Sequence, residues 1–453
     1  MNYVFLVVAV LAAPILFQLL LYVWRFLGLP NFKKETYFRD SYNRIKIYRG
    51  VNICNYAKTA LPDFLPWHTE QDYARLKNWG FNLVRFLVFW EAIEPEKNKY
   101  NTEYLNKVKE HISILEKLGI DVIVDLHQDL YSRKFTGNGF PEWALPPEKH
   151  PFKPATPWWK NYFTPAVMDC YKYFWKNDEL KNKYVELVNF VQYSLKDCKN
   201  VIGIDVLNEP FPNFPFIWRF EKKYLNDLYS KMKITSSVKD FSKTLFFESW
   251  ILTSTGTPTN LDSKLFGTRN VHMPHYYPPF CHNKGNYNWF NRLLAKTAFR
   301  SKTVEARKLN SPALIGEIGI STTVKDYMSF VRDMVEAADK HKINWLWYCY
   351  DKEVYSGQGL IDNNGNEREY LEELVRIYPQ RIAGSNPKWY IKNNTFCFEC
   401  DYDATVSGTT EIFVPAKYKY EIKTDLKYVI KENIVRFEQT KKMRVEIKFS
   451  LKQ

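Results

Sequence analysis

The chain runs to 453 residues, 45% hydrophobic and 17% aromatic, and carries a formal net charge of +14. Its length exceeds one average domain, yet a (β/α)8 barrel of about 250 residues or more is a single unit, so a barrel with a smaller appendage fits. The positive charge comes from scattered lysines with no tight Arg-rich or Gly-rich motif, which argues against nucleic-acid binding and for solubility with attraction to anionic membranes or acidic glycans.

Residues 3–24 are almost uninterruptedly apolar, long enough to cross a bilayer as a helix. Two readings stand. One is a secretory signal cleaved after Ala12; the other is a signal-anchor, because Pro14 would block cleavage after Ala13 and Arg25, Lys33 and Lys34 follow the span. Residues 1–29 are therefore set aside as signal peptide or signal-anchor. Apolar runs then read as strands at 49–53, 82–88, 120–126, 201–207, 245–248, 271–276, 313–317 and 343–348, with a helix over 103–118. Strands alternating with helical stretches predict the α/β class: a parallel (β/α)8 TIM barrel over residues 30–378, with its active site at the strands' C-terminal ends. From residue 379 to 453 the pattern changes to polar–apolar alternation, clearest at 433–437 and 444–451, which predicts a small antiparallel β-sandwich. Cys397 and Cys400 fall in it. No second ligand pair sits nearby in sequence, so a structural or free-thiol role outranks a metal site. The cysteines number seven, so at least one lacks an intramolecular partner, and the sequon Asn393-Asn394-Thr395 is compatible with secretion.

Two strand tips carry the chemistry. The runs ending at Glu209 and Glu317 are apolar along their length, as strands buried on both faces are, and packing does not require a carboxylate at either tip. A carboxyl pair of this kind is what glycosidic cleavage needs: one protonates the leaving oxygen, the other attacks the anomeric carbon or activates water. Other polar residues recur at strand ends in the order a barrel would present them. Arg85 lies in the second strand and His127 just after the third. Asn208 adjoins Glu209, His275 and Tyr277 close the sixth, and Trp345 or Trp347 ends the eighth.

Together these residues resemble the retaining glycoside hydrolases of family five, over residues 49–351. The resemblance implies Glu209 as general acid/base, Glu317 as nucleophile, Asn208 on the sugar 2-hydroxyl, Tyr277 and Arg85 holding Glu317 oriented and ionised, and Trp347 as an apolar floor under the glycone. It also implies carboxyls about 5 to 5.5 Å apart. Glu248, Asp125 and Asp205 are read as supporting residues around the pair. The segments Asp-Leu-His-Gln-Asp-Leu-Tyr-Ser at 125–132, Gly-Asn-Gly-Phe-Pro-Glu-Trp-Ala at 137–144 and His-Tyr-Tyr-Pro-Pro at 275–279 are similar to those of the endoglycoceramidases, which cut between an intact oligosaccharide and ceramide. That closer resemblance adds Lys58, His127, Asp129 and His275 as polar contacts to substrate, with no metal and no cofactor.

Aromatic loops support a lipid substrate independently. Residues 140–175 are dense in aromatics, among them Trp143, Trp158, Trp159, Phe163 and Trp175, and a second apolar loop runs over 211–218 directly after Glu209. Long apolar loops over a site contact each other as a lid or contact a ligand. The sequence reading is thus a retaining endo-β-glycosidase acting on glycosphingolipids at a membrane surface or lipid micelle. Its rivals are a glucosylceramide or steryl-β-glucosidase, a galactose-selective endoglycoceramidase, a polysaccharide endoglucanase and a non-catalytic glycolipid-binding protein; the oligomeric state stays open. The basic residues behind the first span would keep the rest cytosolic by the positive-inside rule, whereas the glycosidase reading places it in the secretory pathway, lumenal or extracellular, and the latter is preferred.

Overall fold

In the computed structural model, residues 35–453 are described, apart from 54, 213–218, 240, 242, 268, 282–283, 353–356 and 453. The apolar segment at 3–24 and most of the loop after Phe211 lie outside the described residues, among which no helix is long and apolar enough to cross a membrane.

Two short strands, β1 (Phe38–Arg39) and β2 (Ile45–Lys46), precede the barrel. The barrel strands are β3 (Arg49–Ile53), β4 (Leu83–Val88), β5 (Asp121–Leu126), β6 (Val201–Asp205), β7 (Thr244–Phe247), β8 (Asn270–His272), β9 (Leu314–Ile318) and β10 (Asn344–Trp347). All eight expected strands are present and pair in parallel in the order β8-β7-β6-β5-β4-β3-β10-β9. A parallel bridge between Tyr276 and Ile318, with the Tyr276 amide donating to the Glu317 carbonyl at 2.8 Å, joins the two ends into a closed ring.

The period-two alternation of strands decides what lines the ring. Leu83, Ile123, Phe246, Val271, Met273, Leu314 and Leu346 form an apolar floor, a cluster separate from the one under the outer helices. The helix expected at 103–118 spans Thr102–Lys117, starting where Asn101 accepts a hydrogen bond from the Tyr104 amide. Its apolar positions, including Leu105, Val108 and Ile112, cover the outside of the strands.

The sandwich comprises β11 (Tyr378–Ile382), β12 (Ser385–Lys392), β13 (Thr395–Asp401), β14 (Thr410–Phe413), β15 (Tyr418–Lys423), β16 (Tyr428–Lys431), β17 (Ile434–Phe437) and β18 (Met443–Leu451). Its two sheets run β1-β2-β11-β14-β17-β16 and β12-β13-β18-β15. The chain thus enters the sandwich before it enters the barrel, and Ile45 and Ile47 sit in the sandwich core. Strands of two residues are too short to show a periodicity, which is why the sequence does not reveal them. In β13, Cys400 is buried while Cys397, three positions earlier, is on the other face, so the two thiols cannot converge on one ion. The sequon lies exposed in the β12–β13 hairpin, where Asn393 and Asn394 take the left-handed backbone (φ 48 and 53) of a two-residue turn.

Sandwich and barrel meet at the end of the ring away from the strand tips. Arg49, buried at the start of β3, is ion-paired with Asp339 of the helix Tyr327–His341. Asp339 also accepts from Trp389 Nε1 of β12 at 2.7 Å and lies 3.2 Å from Arg376. Removing one partner of a buried pair leaves the other charge uncompensated, so Asp339→Ala should cost about 3 kcal/mol of unfolding free energy, measured by denaturant titration. Asp339→Asn, which keeps an acceptor for Trp389 but not the charge, should recover only part of that loss.

Candidate active site

Two residues beyond the apolar floor, the same alternation places a polar layer. Asn52, Arg85, Asp125, Asp205, Glu248 and His275 each follow a floor-level position on their own strand by two, and all are buried. Gly316 is part of the arrangement: a Cβ there would meet Met273 at 2.8 Å and His275 at 3.3 Å, so the missing side chain leaves room for the imidazole.

Arg85 is the hub. Its guanidinium bonds Glu317 at 2.6 Å, Asn52 at 3.0 Å, Asp205 at 2.8 Å, Asn208 at 2.8 Å and Glu248 at 3.0 Å, and lies 3.0 Å from Asp125. Tyr277 donates to the second oxygen of Glu317 at 2.8 Å. Burial alone would raise the Glu317 pKa, but the positive charges of His275, Arg85, His127 and Lys58 outweigh it and hold the carboxyl down to about 2. Glu209 is placed differently. Its backbone is left-handed (φ 39), a strained conformation for a non-glycine residue, and its amide donates to Glu248 Oε2 at 2.9 Å. Burial raises its pKa; His275 Nδ1, 3.0 Å away, opposes the rise, and the charges of Glu317 and Glu248 add to it. Burial disfavours a charge on His275, yet Glu248, Glu317 and Glu209 hold its proton well above the ordinary range.

Lys58, in the turn after β3, pairs with Asp129 at 2.8 Å, and His127 links Asp129 (3.2 Å) to Asp125 (2.7 Å), so a charged chain runs from the rim to Arg85. Asn208 is fixed at both ends, accepting from Arg85 and donating to the Gln128 carbonyl at 2.9 Å. The structure therefore brings together Glu209, Glu317, Lys58, Arg85, His127, Asp129, Asn208, His275 and Tyr277. Trp347 is the exception and a correction. It is 0% exposed, packs on Tyr370 and donates to the Gln358 carbonyl, because the inward positions of β10 are Leu346 and, one residue past its end, Tyr348. Tyr348 occupies the pocket instead, beside Tyr277 and under the Lys58 ammonium, 5.2 Å from its ring. A one-residue error along a strand exchanges its two faces. Asn52 also belongs to the site, and in sequence it shows only as a polar residue beside Gly50, Val51 and Ile53 within Arg-Gly-Val-Asn-Ile at 49–53, a segment similar to the family's opening.

Carboxylate oxygens of Glu209 and Glu317 lie within 4.8 Å of one another, with a His275 nitrogen in the same cluster. Among the described residues this is the one group with the spacing of a metal site. Arg85 already supplies positive charge against Glu317, and a protonated imidazole has no lone pair to give, so the residues do not suit an ion. An ionised carboxylate facing a carboxyl whose pKa is raised suits attack on an acetal carbon with protonation of the departing oxygen. The short separation is that of a covalent route, about 5 to 5.5 Å, rather than the about 6.5 to 9.5 Å that leaves room for water.

The aromatic insertion divides in two. Phe140, Tyr162, Tyr171, Phe174 and Trp175 are buried, Tyr162 stacking on Phe211 at 4.8 Å. Trp158, Trp159 and Phe163 remain exposed beside the pocket.

The family described as Cellulase (glycosyl hydrolase family 5) matches residues 45–354. The endoglycoceramidase of Cyanea nozakii is 25% identical over 411 residues, 81% of this chain and 79% of that protein. Endoglycoceramidase I of Rhodococcus hoagii (strain 103S) is 26% identical over 410 residues, 84% and 78% of the two chains. Among solved structures, the lactosyl-enzyme intermediate of endo-glycoceramidase II from Rhodococcus sp. superposes with a TM-score of 0.81 at 25% identity, covering 91% of this chain and 99% of that one.

Three carboxylates around one imidazole make a checkable statement. Nitrogen-15 NMR should show both nitrogens of His275 protonated at pH 7.5, and Glu248→Gln should bring the ring's titration down toward the ordinary 6.5. A neutral single tautomer in the wild-type protein would contradict the charge assignment.

Proposed function

The chain belongs to glycosyl hydrolase family 5, and from that premise we propose that it is a retaining endo-β-glycosidase that cuts the bond between the glycan and the ceramide of glycosphingolipids, releasing intact oligosaccharide and ceramide. The observation that carries the reading is the carboxyl pair within 4.8 Å whose two members are pushed apart in pKa. Glu317, kept ionised by Arg85 and oriented by Tyr277, is the nucleophile on the anomeric carbon. Glu209, its pKa raised by burial, gives a proton to the leaving ceramide oxygen. The covalent glycosyl-enzyme is then hydrolysed by a water that Glu209, now the base, deprotonates.

The other pocket residues position the sugar. Asn208, with one amide hydrogen left beyond its bond to Gln128, reaches the 2-hydroxyl; Lys58, Asp129 and His127 meet the glycone; Tyr348 takes the floor position that Trp347 does not fill. The ceramide is received beside the exposed Trp158, Trp159 and Phe163, and the same face meets a membrane surface or micelle. Similarity to endoglycoceramidases over most of both chains supports this choice over the single-sugar glycosidases. A lumenal or extracellular site of action fits both the substrate and the apolar segment at 3–24.

Mass spectrometry of products from a glycolipid panel tests the reading: intact oligosaccharide plus ceramide supports it, and release of one sugar at a time overturns it. Glu317→Gln should abolish turnover, by about 10⁴-fold or more, with the fold retained. With an activated aryl glycoside, Glu209→Ala should keep the first step, deglycosylate slowly, and yield the glycosyl azide faster when azide is added. Because Glu209 acts protonated, wild-type activity should fall as pH rises through its pKa, which lies above 4.5, and that limb should vanish in Glu209→Ala.

A further inference from the structure

We propose that the mouth of the barrel docks on an anionic lipid bilayer through two aromatic ledges on opposite sides of the pocket, the second formed by Phe280 and the first turn of the helix Trp289–Leu309. Its biological purpose rests on the glycolipid reading above; its test does not. The first ledge follows β5 and carries Trp158, 45% exposed, with Trp159 and Phe163. The second follows β8, three strands further round a ring of eight and so nearly opposite. There Phe280 is 69% exposed, Trp289 77% and Leu293 54%. Trp289 and Leu293 are four apart and share one face of the helix.

Both ledges adjoin the chemistry. Tyr162 joins Trp158 (6.0 Å) to Phe211, just past Glu209, and Phe280 stands three residues after Tyr277. Phe280 is also held at φ 65. A bulky aromatic in left-handed backbone with its ring in solvent is unfavourable on both counts in water, and burial of that ring in an acyl layer offsets one of them.

Charge identifies the partner as lipid. Lys149, Lys153 and Lys160 precede or fall within the first ledge in the chain, all exposed and with no carboxylate paired to them among the described residues. On the second, Arg292 and Lys296 share the carboxylate of Asp333, 2.6 and 3.9 Å away, and the exposed Lys284 adds to the positive charge, while Lys325 stands beside the exposed Asp326. Apolar tips accompanied by lysine match the acyl and anionic headgroup layers of a bilayer. Ledges on either side of the pocket would hold its opening against that surface.

The test uses the full chain and glycolipid-free vesicles of phosphatidylcholine, with or without about 30 mol% phosphatidylserine. Trp289→Ser combined with Leu293→Ser should weaken sedimentation with the mixed vesicles roughly tenfold while leaving hydrolysis of a soluble aryl glycoside unchanged. Each lysine near an anionic surface is worth roughly a factor of five, so Lys149→Gln, Lys153→Gln and Lys160→Gln together should remove most of the dependence on phosphatidylserine. Undiminished vesicle binding by the first variant, equal binding to neutral and anionic vesicles by the wild type, or a dimer that the first variant dissociates would each overturn the proposal. Failure of the glycolipid reading alone would appear differently, as vesicle binding without cleavage of any ceramide-linked glycan.

Discussion

A single guanidinium organises the site. Arg85 is buried among the carboxyls of Asp125, Asp205, Glu248 and Glu317; with His275 it holds Glu248 and Glu317 below the usual carboxylate range against their burial, whereas burial and the neighbouring Glu248 push Asp205 well above it. Five strands of the ring contribute the Arg or one of its acidic partners, so their registers are locked to one another by charge as well as by backbone pairing. A rigid, water-poor layer at the strand tips follows, and such a layer is the precondition for holding two carboxyls in different protonation states.

The asymmetry between the glutamates comes from the charges each one faces once buried. Glu317 touches Arg85 directly and loses its proton to the surrounding positive charge. Glu209 does not touch Arg85: Glu248 accepts from the Glu209 amide with one oxygen and from Arg85 with the other, and His275 stands between the Glu209 and Glu317 carboxyls. The first of these bonds ties down the backbone of Glu209 in its left-handed conformation. Burial raises the Glu209 pKa and the charges of Glu317 and Glu248 add to the rise, so Glu248 is one of several groups that set the two acids apart.

Aromatic density alone does not say what an aromatic segment does. In the insertion after β5, Phe140, Tyr171 and Phe174 pack against the barrel helices and Tyr131, a cluster that builds the wall of the pocket. The few rings left in solvent stand at the outer edge of that wall. Their exposure is affordable because the packed rings beneath them carry the stability of the loop.

The sequence by itself determined the barrel, since strands apolar on both faces have few ways to be covered, and it determined the identity and opposed positions of Glu209 and Glu317, since carboxylates at such strand tips serve no packing purpose. It also located Arg85, His127, Asn208 and His275, because strand ends in a barrel converge wherever they fall along the chain. Tertiary structure alone decided which face of β10 looks inward, placing Tyr348 rather than Trp347 in the pocket, because a run apolar on both faces carries no signal of its own orientation. It alone showed that strands before the barrel complete the sandwich, and that the insertion's aromatics divide between wall and rim. Periodicity is local and reads a strand's existence; which residue faces which partner is fixed by contacts between segments far apart in sequence.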